Sequence, residues 1–319
     1  AAWVDYGLGR LLGQKGDYAG AEPSVRRAVS VFREELPGTG SLAMALNGLG
    51  NVLGFLGQDR EALDALRESA RIMEEIWGPG HPLVAQATHN LGVFHLDRGR
   101  YSEAEPYLRS SLAMYKDAYG ERQSRSAAGY TNLGVALQGQ GRLDEAEAVF
   151  RKALALHQEL AVGDSWTVGH LIASAKLGAC LHYRGSLAEA ETVLRETESR
   201  FRTFAPDHPQ CVNTLMGLGS LLVDRGKYAE ADEALRRCLD SMERRAKQFA
   251  RQLPHCRNAL AACCADRGRT AEADSLFRAS MPQAWTTVGR DAGRLARARA
   301  RRFYEAQDRA DMVARIEAP

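Results

Sequence analysis

The feature that most constrains this 319-residue chain is a pattern repeated seven times, with copies spaced 41, 42, 42, 44, 41 and 42 residues apart. Each copy carries a small residue after a leucine: Gly9, Gly50, Gly92, Gly134, Gly178, Gly219 and Ala261. Seven residues on comes a second glycine, and five further an alanine: Ala21, Ala62, Ala104, Ala146, Ala190, Ala231 and Ala273. Self-similarity at one fixed period points to a stack of like units, each too small to bury its apolar side alone.

Within a copy the spacing predicts two helices. Apolar residues at helical intervals run up to the second glycine, whose tolerance of the left-handed region ends the first helix; a second pattern then opens with acidic residues, as in "YSEAEPYL" and "LDEAEAVF". The first glycine is therefore inside a helix, where it costs about 1 kcal/mol against Ala unless a facing helix needs the space. For the same reason "NGLGNVLGFLG" (47–57) is no phosphate-binding fingerprint, since no strand precedes it.

These leucine–glycine pairs, the interhelical glycine, the alanine and the large residue four after it (Val25, Leu66, Leu108, Phe150, Leu194, Leu235, Phe277) resemble the tetratricopeptide repeat. The period near 42, with "GPGHPLVA" and "APDHPQCV", is similar to the kinesin-light-chain-like subgroup, and the resemblance implies a fragment of a bacterial protein. The resemblance implies an all-α, right-handed superhelical solenoid of stacked antiparallel helix pairs. The array is expected over 1–281 (repeats about 2–41, 42–84, 85–126, 127–170, 171–211, 212–253 and 254–281). Residues 282–319 are expected to form a degenerate capping pair, with "AQDRAD" standing in for "GQDREA". No Met begins the chain, and Trp3 and Val4 are placed to pack on something, so further repeats or a domain are expected upstream.

At about 100° per residue, the leucine and the residue three after the glycine face the core. Positions six and three before the glycine, and one, four and five after it, face away and become the concave wall that is the ligand groove in tetratricopeptide proteins. Of the 35 residues there, only Arg10, Asp97, Asp224 and Asp266 are charged. Amides and imidazoles interleaved with apolar side chains suit an extended peptide, whose backbone both donates and accepts. The candidates are Asn47, Asn51, His89, Gln138, His182, Tyr183, Asn213 and Asn258, each with the alternative of packing on the next repeat's first helix. Family members that hold a C-terminal carboxylate add Lys or Arg to such amides. Here Asn51 and Asn90 are present, but Ala128 and Asn132 stand in place of the cations.

No other chemistry gathers. A net charge of +2 argues for neither nucleic acid nor membrane as a partner, and no apolar run nears the roughly 18 residues that span a bilayer, so a cytoplasmic protein is expected. His208 with Cys211, and His255 with Cys256, match no zinc spacing. Cys180, Cys263 and Cys264 fall on core-facing positions; no metal or cofactor is expected. His81 and His208 precede prolines and are expected to cap helices. Arg290, Arg294, Arg297 and Arg301 form one stripe, with Arg299 and Arg302 beside it, read as a solvated capping face or a docking face for an acidic domain.

The function expected is a non-catalytic scaffold holding a protein or peptide in its groove. The alternative is a regulatory segment of a larger bacterial signalling enzyme, a serine/threonine kinase or caspase-like protease, acting on a catalytic domain in cis. Self-association through an exposed end of the array is a third.

Overall fold

A computed structural model describes residues 1–161, 167–281 and 290–317. The helices come in pairs: α1 (Ala2–Gln14) with α2 (Tyr18–Glu35), α3 (Gly40–Phe55) with α4 (Asp59–Trp77), and α5 (Pro82–Asp97) with α6 (Tyr101–Tyr119). Then follow α7 (Ser124–Gly139) with α8 (Leu143–Leu160), α9 (Val168–Arg184) with α10 (Leu187–Phe204), and α11 (Pro209–Asp224) with α12 (Tyr228–Arg244). A single turn, α13 (Ala246–Phe249), leads to α14 (Leu253–Asp266) with α15 (Thr270–Ser280), and the last pair is α16 (Arg290–Glu305) with α17 (Ala310–Glu317). Among the described residues there is no strand, and the fold is an all-α solenoid. The chain divides inside α7 into two compact units, Ala1–Leu133 and Gly134–Pro319.

The interhelical glycine does what its position requires. Gly57 adopts φ 78°, and the turn closes with Gln58 N–H donating to Leu53 O at 3.0 Å and Gly57 N–H to Gly54 O at 3.2 Å. Its six counterparts have φ between 69° and 87°. The mid-helix glycine is a contact residue: a Cβ built on Gly50 would sit 2.6 Å from Leu66 Cγ, and one on Gly134 2.5 Å from Phe150 Cε1. The large residue of the second helix fills the space the glycine leaves. Leu66, Phe150 and Leu194 are buried, as are Ala62, Ala146 and Ala190 beside them.

The first helices start slightly before the repeat starts drawn from apolar spacing, because capping residues precede the apolar run. His81 Nδ1 accepts from Leu83 N–H, and His208 Nδ1 from Gln210 N–H, both at 3.2 Å. Thr167 Oγ1 accepts from His170 N–H at 3.1 Å. The last pair is shifted from the sequence alignment. Asp308, not Ala306, occupies the left-handed position, at φ 51°, and Arg309 N–H closes the turn on Tyr304 O as Gln58 does on Leu53. Asp tolerates that conformation better than most side chains, so the motif could slip without a glycine.

Three positions of each first helix, five and one before the motif residue and two after it, face the second helix of the preceding pair. Gly129 lies against Leu112 of α6, and the Cys180 thiol donates to Leu143 O of α8. Every counterpart from α3 to α14 is buried, Cys256 and Cys263 among them. In α1 the same stripe is open, with Val4 75%, Leu8 45% and Leu11 50% exposed. Leu8, expected in the core, therefore lies outside it, for nothing described packs there.

Candidate functional site

In the first unit α1, α3 and α5 lie side by side, and their outward columns are the expected groove residues. Met44, Asn51 and Phe55 are exposed on α3, with Phe55 stacked on Tyr18 at 4.1 Å. Asn47 is engaged: its Oδ1 accepts from Asn90 Nδ2 at 2.9 Å, one repeat on. One register later Asn132 Nδ2 lies 3.2 Å from His89 Nε2. Asn47 and His89 thus help join successive first helices. With Nε2 accepting from Asn132, His89 keeps its proton on Nδ1, a buried donor with no partner in the protein. Burial pushes the His89 pKa down, which keeps the ring neutral.

In the second unit the layer is α9, α11, α14 and α16. His182 is buried, with Nε2 2.7 Å from Asp224 Oδ2, and its ring stacks alongside Tyr183 at 5.7 Å. The same carboxylate oxygen accepts from Arg299 at 2.8 Å, and Arg299 also donates to Ser220 O at 2.9 Å. Burial alone would raise the Asp224 pKa, but the bonds from His182 and Arg299 outweigh it and hold the carboxyl below its usual value. Asn258 is only 1% exposed and donates from Nδ2 to Ala296 O of α16 at 3.1 Å. This is the alternative reading of a groove candidate, packing on the next pair's first helix, and it takes Asn258 out of an open groove.

Unsatisfied atoms mark what this face can do. Gln138 Oε1, Asn213 Oδ1 and Asn258 Oδ1 are buried acceptors with no partner in the protein, and Arg299 Nε–H is a buried donor without one. Asn213 does donate from Nδ2 to Gln210 Oε1, at 3.4 Å. Asn258 and Arg299 share a cleft with Tyr183, Met216, Gly217 and His255, whose pKa is pushed down to about 4 by burial and by the nearby guanidinium. Leaving a buried polar group unpaired costs roughly 1–3 kcal/mol, so such groups are where a ligand gains most.

Arg299 is a residue of this cleft that the first-helix columns leave out. The sequence sets it beside a stripe of arginines, yet its guanidinium enters the first-helix layer, in a cleft lined by Gly217 at a position where the three preceding repeats carry Asn90, Asn132 and Lys176. The same column holds Gly7 and Gly48 as well as Gly217 and Ala259, so the sequence carries no distinct signal for it. Of the other tail arginines, Arg302 pairs with Asp266 at 2.5 Å and Arg301 with Glu305 at 2.6 Å; the side chain of Arg290 lies outside the described residues. Cys256 is buried and its thiol donates to Leu235 O at 3.7 Å. Among the described residues no three His, Cys, Asp or Glu converge on a point, and no helix is long and apolar enough to cross a membrane.

Comparison with known proteins agrees with this architecture. Tetratricopeptide repeat models match residues 1–75, 83–159 and 171–244, with a further repeat at 254–279. No curated protein matches the chain in sequence. Among solved structures, the apo form of RapI superposes with a TM-score of 0.70 at 14% identity, covering 88% of this chain and 97% of that one. A Rap protein complexed with competence and sporulation factor does so with a TM-score of 0.57 at 14% identity, over 98% and 99%. A putative kinesin light chain from Podosopora anserina gives 0.54 at 18% identity, over 63% and 94%. Identities this low speak for the fold alone, whereas the repeat models cover most of the sequence: the chain belongs to the tetratricopeptide repeat family.

Proposed function

We propose that the chain is a non-catalytic interaction scaffold that holds an extended polypeptide against its first helices. The observation that carries this reading is the set of buried, unpartnered polar atoms at three of the expected groove residues not covered by α16: His89 Nδ1 in the first unit, and Gln138 Oε1 and Asn213 Oδ1 in the second. A peptide backbone presents one donor and one acceptor per residue, which complements neutral amide acceptors and a neutral imidazole donor without bringing a charge into the layer. The exposed Met44 and Phe55 beside Asn51 supply apolar contacts between the polar ones. Of the solved structures similar in fold, one is a Rap conjugation gene regulator in complex with the Phr* peptide, and another is a Rap protein complexed with competence and sporulation factor.

The test is selection of short peptides from a random display library on the full chain, followed by binding measurements with single variants. Gln138→Ala and Asn213→Ala should each weaken the selected peptides by about tenfold, the worth of one hydrogen bond of roughly 1.4 kcal/mol. Melting temperatures should stay within a few degrees of wild type. Peptides that bind all variants alike would place the binding surface elsewhere.

A further inference from the structure

A second site opens on the other side of the first unit, between the second helices α4 and α6, with His95 of α5 at its floor. Three residues after the motif residue, the other repeats place Leu12, Leu53, Leu137, Leu181, Leu222 and Cys264, all apolar, with Leu12 half-buried and the other five buried in the core. Repeat three has a histidine there. His95 is 2% exposed, and neither ring nitrogen has a hydrogen-bond partner in the protein. Its ring stacks parallel on Tyr107 at 5.5 Å, and Nδ1 lies 3.4 Å from Glu103 Oε2 without forming a hydrogen bond. A leucine would serve packing better, because a buried imidazole with both nitrogens unpaired costs stability.

The same seam lacks a feature found at other seams. Elsewhere an arginine five residues after the second-helix alanine reaches the glutamate just before the next repeat's alanine: Arg26 to Glu61, Arg151 to Glu189, Arg195 to Glu230 and Arg236 to Glu272, all at 2.6–2.7 Å. Each of these arginines is also held by an acid four residues earlier: Glu22, Glu147, Glu191 and Asp232. In repeat two that acid is replaced by Leu63, and among the described residues Arg67 makes no such bridge to Glu103. Glu103 therefore sits at a register that receives a guanidinium at four other seams, and its carboxylate instead faces the open cleft beside His95. The cleft carries three carboxylates, Glu74, Glu103 and Asp117, against one cation, Arg67. Arg98 and Arg100, also near His95, are turned to Asp59 at 2.8 and 4.0 Å.

We propose that this cleft binds the arginine side chain of a partner polypeptide, with His95 Nδ1 and Glu103 Oε2 accepting from one guanidinium. Two acceptors 3.4 Å apart suit the fixed fork of donors on a planar guanidinium, while a lysine ammonium offers a single point of charge. His95 receives a donor only when neutral, and burial outweighs the pull of Glu103 and keeps its pKa low, with Arg100, Arg67 and Arg98 acting in the same direction. The aromatic face of Tyr107 and the aliphatic part of Met114 give the arginine stem an apolar wall.

The experiment uses the full chain and labelled hexa-arginine, hexa-lysine and hexa-glutamate peptides in fluorescence anisotropy at physiological salt. Wild type should bind hexa-arginine several-fold more tightly than hexa-lysine and should not bind hexa-glutamate. His95→Leu, which installs the residue found in most other repeats and should fold at least as stably, should weaken hexa-arginine by about tenfold. Glu103→Gln should weaken it similarly, while Arg67→Ala, which removes the internal competitor for Glu103, should strengthen it. Asn51→Ala, on the opposite face, should leave it unchanged, so failure here is separable from failure of the groove assignment. Equal binding of hexa-arginine and hexa-lysine, or full affinity in His95→Leu, would overturn the proposal.

Discussion

At the scale of single residues, the same residue type carries opposite consequences at different positions. Gly134 has no room for a side chain: its Cβ would lie 2.5–2.8 Å from three carbons of the Phe150 ring, whereas a Cβ on Gly7 in α1 would meet nothing within 4 Å. Gly134→Ala should therefore destabilise by about 1–3 kcal/mol through overpacking. Gly7→Ala should stabilise by up to about 1 kcal/mol, because it removes the backbone freedom that glycine brings to a helix interior. Denaturant titration of both variants checks the pair, and equal signs would contradict the packing described for α7 on α8. A third residue-scale prediction concerns the slipped turn. Asp308 holds φ 51° where the seven repeats have glycine, so Asp308→Gly should stabilise the fold by on the order of 0.5–1 kcal/mol and raise the melting temperature slightly. A fall in melting temperature would mean that the Asp308 side chain contributes something the backbone argument misses.

At the scale of elements, the helix pairs could be read from the sequence because period, leucine–glycine seam and interhelical glycine all point the same way. What could not be read is which copies have a neighbour on each side. Leu8 and Leu91 occupy the same place in their repeats, yet Leu8 is 45% exposed and Leu91 5%. Leu91→Ala should cost roughly 2–5 kcal/mol by leaving a cavity, while Leu8→Ala should cost well under 1 kcal/mol. Thermal melts of the two variants test this directly, and a large loss at Leu8 would show that α1 is covered in solution. The candidate surface divides in a similar way. Column geometry found the first-helix face, since Asn51, Gln138 and Asn213 lie on it, but a column cannot tell a residue waiting for a ligand from one already taken. Asn47 is bonded to Asn90, His182 to Asp224 and Asn258 to the backbone of α16. Those pairings join residues about 38–43 positions apart, through distances that only the stacked structure supplies. His95 is the opposite case: its position among six apolar counterparts was visible in the sequence, and its meaning required the broken ion-pair ladder beside it.

At the scale of the whole molecule, the histidines make the fold sensitive to mild acid. Six of the eight, His89, His95, His157, His170, His208 and His255, have their pKa pushed down, in each case chiefly by burial. A base held below its unfolded value of about 6.5 leaves the unfolded chain with more protons than the folded one below that pH, so stability rises with pH across the window. The stability is complete above about pH 6.5 and declines as the pH falls toward 4, where His255 finally takes up its proton. Below that, the carboxylates held low by arginines, such as Asp224, Asp232 and Glu272, add a further loss as they protonate. Four of the six histidines, including His255, belong to the unit Gly134–Pro319. The melting temperature should therefore drop by roughly 5–10 °C between pH 7.5 and 4.5, and hydrogen exchange at pH 4.5 should show amides of α9 to α14 losing protection before those of α3 to α6. Protection lost first in α3 to α6, or a melting temperature flat across the window, would mean that these rings are charged or solvated in the folded protein, and with them would go the neutral donor assigned to His89 and the neutral acceptor assigned to His95.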